Sequence, residues 1–259
     1  MKIGVCGSVD RLDLLETLGF DQMELNIGTL STMDEAELSA LKQKLEGRKI
    51  LVKSGNCMFP GSVPPLYQDA GMEKTRAYLT MVMPKLKMLG ITTAVFGSGG
   101  YRRMPEEVPQ EKRRELLRDL LVVMEEEARK NGITVVVEPL NKKETNMLLT
   151  TAEAMGYIRE LNLPNLKLLV DLYHFYCEGE SLDRIREFGD YIGHIHIAEP
   201  TRRDFLRESD QYDYAPFFKA LREIGYEGAV MFEGGLDGYD TGIRSTFSVL
   251  DALRRGDCV

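Results

Sequence analysis

The chain has 259 residues, 43% of them hydrophobic, and a formal net charge of −8. That length and core content suit one (β/α)8-sized domain, and the acidic balance leaves no electrostatic footprint for nucleic acid or for an anionic membrane surface. No apolar run reaches the ~20 residues of a membrane span, Met1 to Cys6 lacks the layout of a signal peptide, and Cys6, Cys57, Cys177 and Cys258 are too scattered for a metal or redox pair; a cytoplasmic protein with free thiols is expected.

Short apolar runs alternate with stretches of helical periodicity eight times. Strands are expected at 2–6, 21–25, 50–54, 92–97, 133–138, 166–171, 191–197 and 229–233. Between and after them, helices are expected at 9–18, 33–46, 70–89, 106–131, 151–161, 181–188, 214–224 and 241–254. Asp34 and Glu35 suit the positive end of the second helix, and Ser181 with Asp183 opens the sixth. Gly19, Gly90, Gly132 and Gly225 stand where a helix stops and a strand begins. Runs of Val, Ile and Leu without strict alternation belong to strands buried on both faces, as in a parallel sheet. Eight such units with no composition break predict a closed α/β barrel, the (β/α)8 TIM fold, as a single domain over 1–259. The alternative, an open doubly wound sheet, is weakened because no Gly-x-Gly-x-x-Gly follows the first strand. Long connections follow the third, fourth and seventh strands (59–67, 97–105 and 198–213). They place the elaboration on the C-terminal face, where barrel active sites lie.

Residues of metal-ligand type stand where the last four strands end: Glu138, Asp171, His196 and Glu233. All three histidines of the chain, His174, His194 and His196, fall in the same stretch. Three carboxylates and one imidazole form an oxygen-dominated set. It suits one divalent ion with open positions (Mn²⁺, Mg²⁺ or Co²⁺, with Zn²⁺ compatible) rather than a Cys-rich structural zinc. Without a cation, three converging carboxylates would raise one another's pKa values and destabilise the fold. Each residue alone has a plainer reading, a salt-bridge glutamate or a half-buried histidine; convergence of four favours the metal. His194, two residues before His196, points to the same side one layer deeper, in the core or behind the ligands. Glu24, ending the second strand, is either a polar substrate contact or a partner behind the ligands.

The phrases Val137-Glu138-Pro139-Leu140-Asn141-Lys142-Lys143-Glu144, Asp171-Leu172-Tyr173-His174, His194-Ile195-His196-Ile197-Ala198 and Phe232-Glu233-Gly234-Gly235 resemble the sugar isomerase/epimerase superfamily with the xylose isomerase-like barrel. Within it they are most similar to the ketose 3-epimerases of the D-tagatose/D-psicose group. The resemblance implies that Glu138, Asp171, His196 and Glu233 bind one divalent metal and that Glu138 and Glu233 also exchange the substrate proton. It implies substrate contacts from Glu144, His174 and Arg202, with Arg203 as the substitute if the loop register differs. The implied reaction is epimerisation or isomerisation of a small sugar, a ketose or ketose phosphate, through a metal-stabilised enediolate. Chelation of a carbonyl and a neighbouring hydroxyl would acidify the C–H beside them, one glutamate removing the proton and the other returning it. Homodimers or homotetramers are common in such a family, and nothing in the sequence marks an interface.

Departures narrow the field. The superfamily's endonuclease IV branch holds three zinc ions with additional histidines, and here the third and fourth strands end without any. An inosose dehydratase-like lyase, an aldose–ketose or hydroxypyruvate isomerase, and a non-catalytic sugar-binding barrel remain as alternatives; the complete ligand set counts against the last. Gly97 to Arg103 is either a backbone nest with basic support for a phosphate or a plain flexible loop. Pro60 to Pro65 is a candidate lid rim, with Phe59, Tyr67, Phe96 and Tyr101 as walls or as packing.

Overall fold

A computed structural model describes residues 1–68, 71–235 and 238–257; Cys258 lies outside the described residues. Eight parallel strands close into a barrel in sequential order. They are β1 (Lys2–Cys6), β2 (Gln22–Asn26), β3 (Leu51–Asn56), β4 (Thr93–Phe96), β5 (Thr134–Val137), β6 (Leu166–Asp171), β7 (Ile192–Ile197) and β8 (Ala229–Phe232). Eleven α-helices accompany them among the described residues. In chain order these are α1 (Leu12–Leu18), α2 (Ile27–Thr32), α3 (Glu35–Leu45), α4 (Gly71–Met88), α5 (Gly99–Arg102), α6 (Gln110–Lys130), α7 (Thr151–Leu161), α8 (Leu172–Cys177), α9 (Asp183–Phe188), α10 (Ala215–Glu223) and α11 (Tyr239–Arg255).

Local sequence sets the boundaries. Asp34 caps α3 in a full capping box with Glu37, its side chain accepting from the Glu37 N–H while Glu37 accepts from the Asp34 N–H. Gly19, Gly90, Gly132 and Gly225, expected as helix stops, all have positive φ, a conformation that a side chain would strain. Three short helices, α2, α5 and α8, were not expected; each starts at a strand end on the barrel mouth. β1 pairs with β8 from Lys2–Ala229 to Val5–Phe232, which closes the ring. No helix among the described residues is long and apolar enough to cross a membrane.

The main core lies between the barrel wall and the helices. Val95, Val136 and Leu169 form a separate buried cluster. Each stands two residues before Gly97, Glu138 or Asp171, and side chains two apart on a strand point the same way. This apolar cluster is therefore the floor of the barrel interior beneath the mouth.

Candidate metal centre

The ends of β5 to β8 deliver four side chains to one point. Glu138 follows β5 and is fixed by its N–H donating to the Phe96 carbonyl of β4 (3.1 Å). Asp171 is the last residue of β6 and also caps α8, its Oδ1 accepting from the Tyr173 N–H (2.8 Å). His196 stands inside β7, and Glu233 follows β8 with its N–H bonded to Ile197 O (2.9 Å). One donor atom from each lies within 4.8 Å of the others. His196 Nδ1 sits 3.3 Å from Glu138 Oε1 and 3.4 Å from Glu233 Oε2. Any side chain on Gly97 would overlap the Glu138 carboxylate, which accounts for the first glycine of that loop.

Several atoms of the cluster have no partner. Glu138 Oε1, Asp171 Oδ2, His196 Nδ1 and His174 Nε2 are buried with no hydrogen-bond partner. Buried polar atoms are almost always paired, and here three acceptor-type atoms from different strands converge unpaired. A divalent cation satisfies all three at once, and the three-carboxylate, one-imidazole set is its ordinary environment. A second group, Cys6, Glu24 and His196, is also close enough to hold an ion, but both Glu24 oxygens are already occupied by imidazole nitrogens.

Electrostatics without a cation bear the mark of crowding. Burial pushes the Asp171 carboxyl up to about 6. Burial also raises Glu138, with His196 opposing. For Glu233 burial works upward too, but His196 and Arg203 outweigh it and hold the carboxyl low. The two glutamates are thus pushed in opposite directions.

Further polar groups ring the cluster. His174 Nδ1 accepts from the Asn141 backbone N–H (3.3 Å) and lies 2.9 Å from the Asn141 amide nitrogen. Its proton is therefore on Nε2, which points at Asp171 Oδ2 from 3.5 Å. Glu144 accepts from the Asn141 amide (3.1 Å) and from Arg203 (3.1 Å). Asn56, ending β3, donates to Glu233 Oε1 (2.8 Å). Asn56 and Asn141 were not singled out from sequence, although Asn56 obeys the same rule of polar residues at strand ends and Asn141 lies in the loop after β5.

The arginine at the mouth is Arg203; Arg202, the residue expected there, is turned away. Glu199 and Asp204 bridge as a tight antiparallel pair, and Arg203 takes a positive φ of 53° between them. That twist sends Arg202 outward onto Asp210 (2.9 Å) and Arg203 inward onto Glu233 Oε2 (3.1 Å) and across the Tyr173 ring. Burial pulls the Arg203 guanidinium down, and Glu233 with the other carboxylates holds it above its ordinary value.

The phosphate nest is not built. Arg102 is fully buried and donates to the carbonyls of Phe96, Glu138, Met147 and Leu148. Arg103 donates outward to Lys143 O. Phe59, Phe96 and Tyr101 pack on one another, with Phe59 and Tyr101 stacked at 4.0 Å; they are buried packing, and Tyr67 is exposed.

An eight-stranded parallel barrel with four potential cation ligands gathered at its strand ends defines a class: a (β/α)8 protein built for chemistry at the mouth. Residues 12–252 match the family described as xylose isomerase-like TIM barrels, and the chain belongs to it. A 3-dehydro-D-guloside 4-epimerase of Escherichia coli K12 is 26% identical over 239 residues, covering 90% of this chain and 88% of that protein. A D-psicose 3-epimerase of Agrobacterium fabrum is also 26% identical, covering 88% and 81%. The fold is shared with a crystal structure of D-psicose 3-epimerase determined in the presence of D-fructose, at a TM-score of 0.84, 22% identity, and coverage of 98% and 99%.

Proposed function

We propose that the chain is a divalent-metal-dependent epimerase or isomerase of a small, unphosphorylated sugar. The observation that carries this is the set of orphaned acceptors on Glu138, Asp171 and His196, gathered with Glu233 at one point of the mouth. Membership of the isomerase/epimerase enzyme class is supported by the relatives, which are sugar epimerases over nearly their whole length.

A divalent ion held by Glu138, Asp171, His196 and Glu233 would polarise a sugar carbonyl and acidify the C–H beside it. Glu138 and Glu233 approach from β5 and β8, which are not neighbours in the ring, so they reach a bound sugar from different sides. One removes the proton and the other returns one, the requirement for inverting a carbon. Nε2–H of His174 and the guanidinium of Arg203, both beside the carboxylates of the cluster, would be the donors for the oxygen that gains charge. Glu144 orients Arg203, and Asn56 orients Glu233. The spent Arg102 and the outward Arg103 favour a substrate without phosphate.

The test is metal content by elemental analysis, then solvent-deuterium exchange into a panel of ketoses. One equivalent of Mn, Mg or Co, lost in Glu233→Gln and His196→Ala, with substrate-dependent exchange and no change of product mass beyond deuterium, is the expected result. Loss of water from the product would make the enzyme a dehydratase. No metal after loading with excess Mn²⁺ would sink the proposal.

A further inference from the structure

Behind the four donors lies a chain of contacts that the proposed reaction does not use. Glu24 has no exposed surface, and each of its oxygens meets a different histidine. Oε1 is 2.9 Å from His196 Nε2, and Oε2 is 2.7 Å from His194 Nε2. An ionised carboxylate only accepts, so both imidazoles donate from Nε2. As a neutral ring, the form that ligates, His196 then presents its lone pair at Nδ1, the atom that faces Glu138 and Glu233 and has no protein partner.

We infer that Glu24 is a positioning residue: it locks His196 in the Nε2-protonated tautomer, so that Nδ1 is the nitrogen that binds the metal. His194 anchors the other oxygen of Glu24 and thereby fixes its direction. The inference rests on the metal reading above. The opposite tautomer would aim an N–H at the cation, and it could not ligate without turning the ring over inside a fully buried site. Ligating histidines commonly owe their orientation to a carboxylate on the far nitrogen. Here one carboxylate serves the ligand with one oxygen and its own anchor with the other.

Two strand irregularities accompany the arrangement. The β2–β3 register shifts between Met23 and Glu24, and the β6–β7 register shifts so that Leu168 faces Ile192 but Leu169 faces His194. Each inserts a residue beside a member of the chain, and such bulges re-aim neighbouring side chains. Cys6 adds a third donor to Glu24, its Sγ lying 3.3 Å from Oε1.

The chain has only three histidines, so protein labelled with ¹⁵N in the imidazoles yields a long-range proton–nitrogen spectrum with three rings. Zn²⁺ serves as a diamagnetic probe and Mn²⁺ for the binding isotherm. In wild type, His196 is expected to be protonated at Nε2, with Nδ1 carrying the shift of a metal-bound nitrogen. In Glu24→Gln, folded by circular dichroism, the His196 tautomers mix and the Kd for either ion rises about 10- to 100-fold. His194→Asn moves both readouts the same way by less. Zinc on Nε2 in wild type would overturn the inference by itself, whether or not the Glu24 variant folds. So would an unchanged tautomer and Kd in folded Glu24→Gln, with the metal reading left standing. If wild type binds neither ion, the metal reading fails first and this one with it.

Discussion

Arg202 and Arg203 are adjacent and equally basic, and one backbone angle separates their roles. A sequence pattern counts residues from His196 and assumes an even path, whereas the loop turns over at Arg203, where φ is 53°. Glu199 stabilises that turn, accepting from the Thr201 and Arg202 N–H groups (3.1 and 2.7 Å). Arg203→Ala should therefore lower the exchange rate by about 10²-fold or more, the usual effect of removing one donor to a developing oxyanion. Arg202→Ala loses an exposed guanidinium pair with Asp210 and should do much less. Single-turnover deuterium exchange on both variants ranks them, and the reverse order would restore the assignment that the family resemblance implied. The other polar partners were legible to different degrees. Glu138, Asp171, His196 and Glu233 announce themselves as polar residues closing apolar strands, and the structure brings all four together. Asn141 and Asn56 do not stand out, because an amide at a strand end or in the loop after it is also an ordinary turn residue.

At the scale of elements, strand ends were readable to within a residue or two because apolar runs and helix-stopping glycines bracket them. The short helices α2 and α8 were not readable, because their first turns are capped by residues that also close strands, and α5 was hidden by its glycines. Asn26 caps α2, accepting from the Thr29 N–H, and Asp171 caps α8 while lending its other oxygen to the cluster. The sequence Gly97-Ser98-Gly99-Gly100 looks like slack, yet α5 delivers Arg102 into the interior. There its guanidinium joins the carbonyls of β4, of Glu138 and of the Met147–Leu148 turn. Burial lowers it to about 10, against the pull of Glu138, so it remains a cation at neutral pH. Arg102→Met would leave the Glu138 and Met147 carbonyls without a donor, while those of Phe96 and Leu148 keep the N–H groups of Glu138 and Leu140; the cost is about 1–3 kcal/mol for each carbonyl left unpaired that water cannot reach. The expected destabilisation is roughly 3 kcal/mol or more, a fall in Tm of roughly 6 °C or more for a domain this size. A thermal melt near wild type would mean that solvent or a shifted loop replaces the arginine.

For the whole molecule, the barrel's stability and its capacity to hold a cation are opposed. Half of the interior floor is apolar, from Val95, Val136 and Leu169; the rest is the buried network of Glu24 and the two strand histidines. Without a cation, the folded chain retains protons that the unfolded chain releases. Asp171 is raised to about 6 by burial. His196 is raised well above its ordinary value, because Glu24 outweighs the downward effect of burial. Both shifts are upward, so each contributes stability that is full below the unfolded pKa and is lost as pH rises through the folded one. Glu24 and Glu233 are shifted downward, Glu24 because its two histidines outweigh burial and Glu233 through His196 and Arg203. Their contribution fades only below the carboxylate range, about 4.5. Between about pH 5 and 8 the upward shifts govern the cluster, and metal-free protein should melt several degrees lower at pH 8 than at pH 5. Metal binding displaces those protons, so saturating Mn²⁺ should raise Tm more at pH 8 than at pH 5 and flatten the profile. Glu138 is shifted upward as well, so Asp171→Asn removes one of three titrations and should partly flatten the lower part of the metal-free curve. A metal-free Tm that climbs from pH 5 to 8, unchanged in that variant, would mean the cluster holds no extra protons, and the crowding of carboxylates would no longer support the proposed cation.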